Sequence, residues 1–151
     1  MANGKATSSS STLRMETAVA IDINASATTI MALLTDADNF TRWNTTITSI
    51  EGEIKKGETI KVKSSLDPKR IFKLEVSKVT DTEMVWESGM GAMFSGVRTY
   101  TLTAKGGGVT EFSMVEIFKG MMLPMIKSSL PDFKESFEQF AADLKRAAES
   151  K

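Results

Sequence analysis

Neither cysteine nor histidine occurs anywhere in the 151 residues of this chain. Without cysteine there are no disulfides, no thiolate zinc sites and no cysteine nucleophile, and redox compartment leaves no trace in the sequence. Without histidine the commonest general base, the usual metal ligand and every serine–histidine nucleophile arrangement are missing. Any proton chemistry therefore falls to Glu, Asp, Tyr, Lys or water, and no metal or other cofactor is expected. Charge of one sign is missing too, because nineteen basic residues cancel nineteen acidic ones. That balance removes the electrostatic footprint of a general nucleic-acid binder and any charge-only attraction to an anionic membrane. No stretch approaches a membrane span. Proline is scarce as well, with three residues against ten methionines, whose flexible thioethers suit irregular cores or adaptable surfaces.

What is present is organised around one amphipathic stretch, Pro131 to Ala148. Phe133, Phe137, Phe140, Leu144 and Ala148 recur at helical spacing on one face, and Lys134, Glu135, Glu138, Lys145, Arg146 and Glu149 fall on the other. Pro131 suits a first helical position, Asp132 and Glu135 suit the positive end of the helix dipole, and Lys145 and Arg146 suit the negative end. Such a helix needs an apolar surface to lie on.

The preceding residues read as the making of that surface. Met1 to Ser11 is small and polar with no apolar run for a signal-peptide core, which predicts a disordered tail over 1–13 and one domain over 14–151. From Met15 to Ile23 apolar and polar residues alternate, the mark of a half-buried strand. Ser26 opens a short helix carrying Ile30, Leu33 and Leu34, and Asp36 caps a second ending near Trp43. Around Lys55–Lys56–Gly57, antiparallel register sets Ile54 near Glu58, Gly52 near Ile60 and Ile50 near Val62. Ile71 to Val79 alternates with Phe72, Leu74 and Val76 on one side, and Thr80–Asp81–Thr82 turns into a strand bearing Met84 and Trp86. Gly89, Gly91 and Gly96 loosen the connection around Met90, Met93 and Phe94. Symmetric pairing about the turn Lys105 to Val109 then places Leu102 opposite Phe112, Tyr100 opposite Met114 and Arg98 opposite Glu116 on one face. Gly120 to Ser129 follows as a methionine-rich link.

The order strand, two short helices, six strands, long helix resembles the START-like helix-grip superfamily, also called SRPBCC. The carriers are IDINASATTIMALLTDADNFTRWN from Ile21, VWES from Val85, GVRTYTL from Gly96, EIFKG from Glu116 and FEQFAADLKRAAE from Phe137. Within it the chain is most similar to the polyketide cyclase/dehydratase-type branch. The resemblance implies an α+β helix-grip fold: a seven-stranded curved antiparallel sheet wrapped around the long C-terminal helix, two short helices between strands 1 and 2, and an apolar cavity between sheet and helix.

If the sheet grips the helix, Phe72, Trp86, Tyr100, Phe112, Met114, Met121, Met125, Phe133 and Phe137 line the space between, with Phe40 and Trp43 capping one end. Regular apolar stripes also pack as plain core, and the alternative is that these side chains fill the space themselves. Arg98 and Glu116 are the polar candidates. A charge facing a core costs several kcal/mol unless paired, so they are expected to neutralise each other, as a structural ion pair or as the group that orients a ligand's carboxylate, carbonyl or hydroxyl. The expectation is a cytoplasmic monomer or weak homodimer that binds a small apolar molecule such as a lipid, polyketide or aromatic metabolite. One alternative is a cyclase or dehydratase with Glu116 as base and Tyr100 or Arg98 stabilising an enolate. Another is a co-chaperone-like module that makes contact through Met121 to Met125.

Overall fold

Antiparallel backbone pairing runs without a break through eight strands, in the spatial order β1-β2-β8-β7-β6-β5-β4-β3. In this computed structural model, which describes residues 2–89 and 91–151, these are β1 (Asn3–Ser11), β2 (Arg14–Ile23), β3 (Ile47–Glu51), β4 (Thr59–Ser64), β5 (Asp67–Val79), β6 (Glu83–Gly89), β7 (Ser95–Gly106) and β8 (Val109–Lys119). The helices are α1 (Ala27–Leu34), α2 (Ala37–Trp43), the single turn α3 (Leu123–Ile126) and the long α4 (Lys134–Glu149). Met1 of the polar tail and Met90 of the glycine-loosened connection lie outside the described residues.

The register expected from the hairpins is present. Leu102 pairs with Phe112, Tyr100 with Met114 and Arg98 with Glu116 across β7 and β8, and Ile50 pairs with Val62 across β3 and β4. Ser26 caps α1 by accepting the Thr29 amide at 3.1 Å. Asp36 stands at the cap of α2 but makes no backbone cap; its carboxylate accepts from the Asn39 side chain instead.

Two sequence expectations need correction. Asn3–Ser11 is the edge strand β1 rather than a disordered tail, so the sheet has eight strands and not seven. A run of serines carries no periodic apolar signal, yet pairing on the open edge of β2 needs only backbone groups. The strand is also held from the helix side, where the Glu138 carboxylate accepts the Ala6 amide at 2.9 Å. The long helix begins at Lys134, not Pro131. Asp132 accepts the Lys134 amide at 3.0 Å in a local turn, and Phe133 stands at the cap position.

α4 packs chiefly over β1 and β2, with Phe137, Phe140, Ala141, Leu144 and Ala148 buried beneath it. Each fully buried phenylalanine contributes roughly 1.5–3 kcal/mol, so the stripe is sufficient to seat the helix. Phe140 is the hub, stacked on Phe112 at 6.0 Å and facing Tyr100 at 5.8 Å, Phe40 at 6.0 Å and Trp43 at 5.9 Å.

One polar residue on this helix is buried and has no apolar signature. The Asp143 carboxylate, fully enclosed, accepts the Thr45 amide at 2.8 Å, the Thr45 hydroxyl at 2.7 Å, the Gln139 amide at 2.8 Å and Arg146 at 3.1 Å. Burial by itself would raise its pKa, but the bonds from Thr45, Gln139 and Arg146 outweigh this and hold it below the ordinary value. Next to Thr45, the Asn44 side-chain oxygen accepts from the Thr46 amide and hydroxyl and the Ile47 amide, turning the chain from α2 into β3. Asp143→Ala strands the Thr45 donors and is expected to cost about 3 kcal/mol in urea unfolding. Because the folded-state pKa is depressed, the contribution of Asp143 is complete above the unfolded value near ~4 and is lost as pH falls through the folded value. The acid limb of the stability curve is therefore shallower in Asp143→Asn than in the parent chain.

Candidate functional site

On β7 and β8 the inward positions form a ladder of pairs: Leu102 with Phe112, Tyr100 with Met114, Arg98 with Glu116, and Gly96 with Phe118. The first two pairs are fully covered core. The last two face a cavity of about 490 Å³, roofed by the start of α4 and the segment before it and walled by β4, β5 and β6. This volume lies within the ~300–1,000 Å³ usual for small-molecule sites. Val62, Phe72, Leu74, Trp86, Phe118, Ile126, Leu130 and Phe133 supply its apolar lining, and Ser64, Ser88 and Ser136 its small polar positions.

Phe72, Trp86, Arg98, Glu116 and Phe133 are thus the sequence candidates that line the cavity. The others stand elsewhere. Phe112, Met114 and Tyr100 are core under α4, and Phe137 is buried beside them. Phe40 and Trp43, 4.6 Å apart, close the molecule behind Trp86 and do not reach the lining. Met121 and Met125 are in solvent, 67% and 78% exposed. α3 is a single turn whose inward residue is the fully buried Leu123. Met125, two residues on within α3, projects to the opposite side of the helix, and Met121 lies in the turn before it. The sequence reading missed Val62, Leu74, Gly96, Phe118 and Ser136. Phe118 and Gly96 were legible, being one step further down the ladder that placed Arg98 opposite Glu116. Gly96 has no side chain because the Phe118 ring lies over it, 2.9 Å from where a Cβ would stand.

Arg98 Nε donates to Glu116 Oε1 at 2.6 Å, with the two side chains 19% and 14% exposed. The guanidinium also lies 5.1 Å from the centre of the Phe137 ring. Burial opposes its charge, but Glu116, and after it Tyr100, raise the Arg98 pKa above its ordinary value, so the group is permanently cationic. Burial pushes the Tyr100 phenol well up, against the pull of Arg98, so it stays neutral. The Arg98 guanidinium also bears on the buried Tyr100 hydroxyl, which has no other partner among the described residues, and Glu116 Oε2 accepts no hydrogen bond among them. The Trp86 indole N–H, in the cavity wall, likewise has no acceptor among them. The result is a neutral ion pair with spare donors and a spare acceptor, set in an aromatic wall. Tyr100 does not reach the cavity, so of the groups considered for enolate chemistry only Glu116 and Arg98 do. Among the described residues no cluster of carboxylates is arranged to hold a metal.

Residues 14–149 match the profile of the family described as polyketide cyclase / dehydrase and lipid transport. No curated protein sequence matches the chain. Solved structures share its fold at low identity. A START superfamily protein from Mycobacterium smegmatis is 15% identical, with TM-score 0.66 over 89% of this chain and 97% of that one. Truncated norcoclaurine synthase from Thalictrum flavum is 10% identical, with TM-score 0.67 over 92% and 96%. A conserved protein of unknown function from Enterococcus faecalis is 16% identical, with TM-score 0.67 over 97% and 78%.

Removing one partner of the Arg98–Glu116 pair leaves a poorly hydrated charge uncompensated. Glu116→Ala is expected to cost about 2–3 kcal/mol in denaturant unfolding, and the double replacement Arg98→Leu with Glu116→Leu less than that, because no orphan charge remains.

Proposed function

The chain belongs to the polyketide cyclase/dehydrase and lipid transport family, and on that premise we propose that it binds a small, mainly apolar molecule in the cavity between β4–β8 and the start of α4. The observation that carries the reading is the lining itself, an enclosure of about 490 Å³ walled largely by aromatic and aliphatic side chains, in which the Arg98–Glu116 pair converges from β7 and β8 and Asp67, Arg70 and Lys73 stand on β5. The walls favour an apolar body through the area they remove from water. The ion pair favours a ligand with a hydroxyl or carbonyl at one end. Arg98 has donors to spare and Glu116 an acceptor, while their opposite charges cancel, so a neutral polar group meets both at less cost than a carboxylate, which would face Glu116. This is a binding reading. Acid–base catalysis would require Glu116 to work without Tyr100, which is enclosed in the core.

The test is titration with N-phenylnaphthylamine, a neutral apolar fluorophore, alongside native mass spectrometry of the full chain. The parent protein is expected to enhance the fluorescence and to release the dye to a medium-chain alcohol or hydroxyketone more readily than to the carboxylic acid of equal length. Ser136→Trp, which places an indole in the cavity from the half-buried first turn of α4, is expected to weaken dye binding at least about tenfold, and Ser136→Ala to leave it unchanged. Absence of both fluorescence gain and mass adducts in the parent protein refutes the proposal.

A further inference from the structure

We infer that the end of the sheet bearing the cavity mouth docks on a lipid bilayer. The strand order brings the β1–β2 turn, the β4–β5 hairpin, the β6–β7 connection and the link from β8 into α3 to one end of the molecule. The exposed large apolar side chains among the described residues are Leu13, Leu66, Ile71, Met93, Met121 and Met125, and all six stand at this end. The opposite end is built from the turns at residues 55–57, 80–82 and 106–108 and exposes none. Apolar residues scattered singly over a surface need no explanation, but a set gathered from four separate segments marks a contact.

These tips are held in a fixed arrangement. The Gly120 amide donates to the Leu13 carbonyl at 3.2 Å, and the Met121 and Met122 amides donate to Ala92 and Met93 at 3.2 and 2.9 Å. Gly120 has φ near 141°, and a side chain there would collide with the Met93 carbonyl, so the junction of the three segments requires glycine. Leu66 and Ile71 belong to the cavity lining, as do Ile126 and Leu130 of the adjoining link, which places the mouth within the apolar set.

Charge selects the partner. Lys69, Arg70, Lys119 and Lys127, the last bonded to the Ser11 carbonyl at 3.2 Å, stand in the segments that carry these tips against Asp67 and Glu135, while Lys134 pairs with Asp132 at 4.0 Å and Arg14 with Glu16 at 2.6 Å. The chain as a whole is neutral, so this basic excess is local. Apolar tips interspersed with long basic side chains match the layering of a bilayer, acyl chains inside and phosphates at the surface. A second copy fits less well, because a two-fold interface would set these cations against their own equivalents.

The contact does not depend on the cavity being occupied, and its test needs no cavity ligand. The full chain is floated with phosphatidylcholine vesicles prepared with and without phosphatidylserine. The parent protein is expected to rise with the vesicles, more strongly with phosphatidylserine and less at high salt. Met121→Ser with Met125→Ser is expected to lower the partition coefficient at least about tenfold, with an unchanged melting temperature because both side chains are already in water. Lys69→Ala with Arg70→Ala is expected to remove most of the phosphatidylserine and salt dependence. A parent protein that stays in the soluble fraction with both vesicles, or a methionine variant that partitions like the parent, overturns the proposal. So does light scattering that shows a dimer abolished by the methionine variant without vesicle binding, which would make the patch a self-association face.

Discussion

A single α-helix is narrower than the sheet it rests on, and most of this molecule follows from that mismatch. A helix with its side chains is about 10 Å across and strands repeat about every 4.8 Å, so α4 covers roughly two strands of the eight. It covers β1 and β2 and closes over the upper halves of β7 and β8, where Phe112, Met114 and Tyr100 meet Phe140. The remaining concave surface, from β4 across to the lower half of β8, has no second helix to fill it. The link through α3 roofs it at one end only. The cavity is what is left uncovered, and it needs no special residues to hold it open.

That geometry also gives the polar pair its character. On the inward ladder of β7 and β8, Arg98 and Glu116 occupy the rung at the margin of the helix, where the guanidinium lies 5.1 Å from the Phe137 ring of α4 and the pair also borders the cavity. One rung higher, where Tyr100 and Met114 are fully covered, two charges would have to be desolvated entirely. Where they stand, each keeps partial access to the cavity, and the 2.6 Å contact cancels their charges. The same ladder places Gly96 and Phe118 below them, so the apolar wall resumes toward the mouth.

Long-range bonds tie the helix and the connections to the sheet at both ends. At the end away from the mouth Lys145 and Glu149 bond to the Asp22 carbonyl and the Asn24 amide beside α1, while Asp143 ties the middle of α4 to Thr45 just before β3, next to the cavity-lining Thr46 and Ile47. At the other end the backbone bonds from Gly120, Met121 and Met122 gather three connections, and the side chains there are left to solvent or to a partner.

The strands, the hairpin registers, the capped first helix and the apolar stripe of α4 were determined by the sequence itself. Each rests on a local period, of two or about 3.6 residues, or on a turn whose symmetry forces specific partners, as the turn around Gly107 forces Arg98 opposite Glu116. Tertiary structure alone decided what local period cannot encode. Asn3–Ser11 became a strand because β2 had an open edge. Asp143 could be buried because Thr45, distant in sequence, supplied donors. Met125 faced outward because Leu123 had already taken the inward side of a one-turn helix, and Met121 stands in the turn before it. Phe112, Met114, Tyr100 and Phe137 became packing, and Phe72, Trp86 and Phe133 became lining, although all seven look alike in the chain. The difference lies in where along each strand the helix stops covering the sheet, a long-range distance that no residue's own neighbours express.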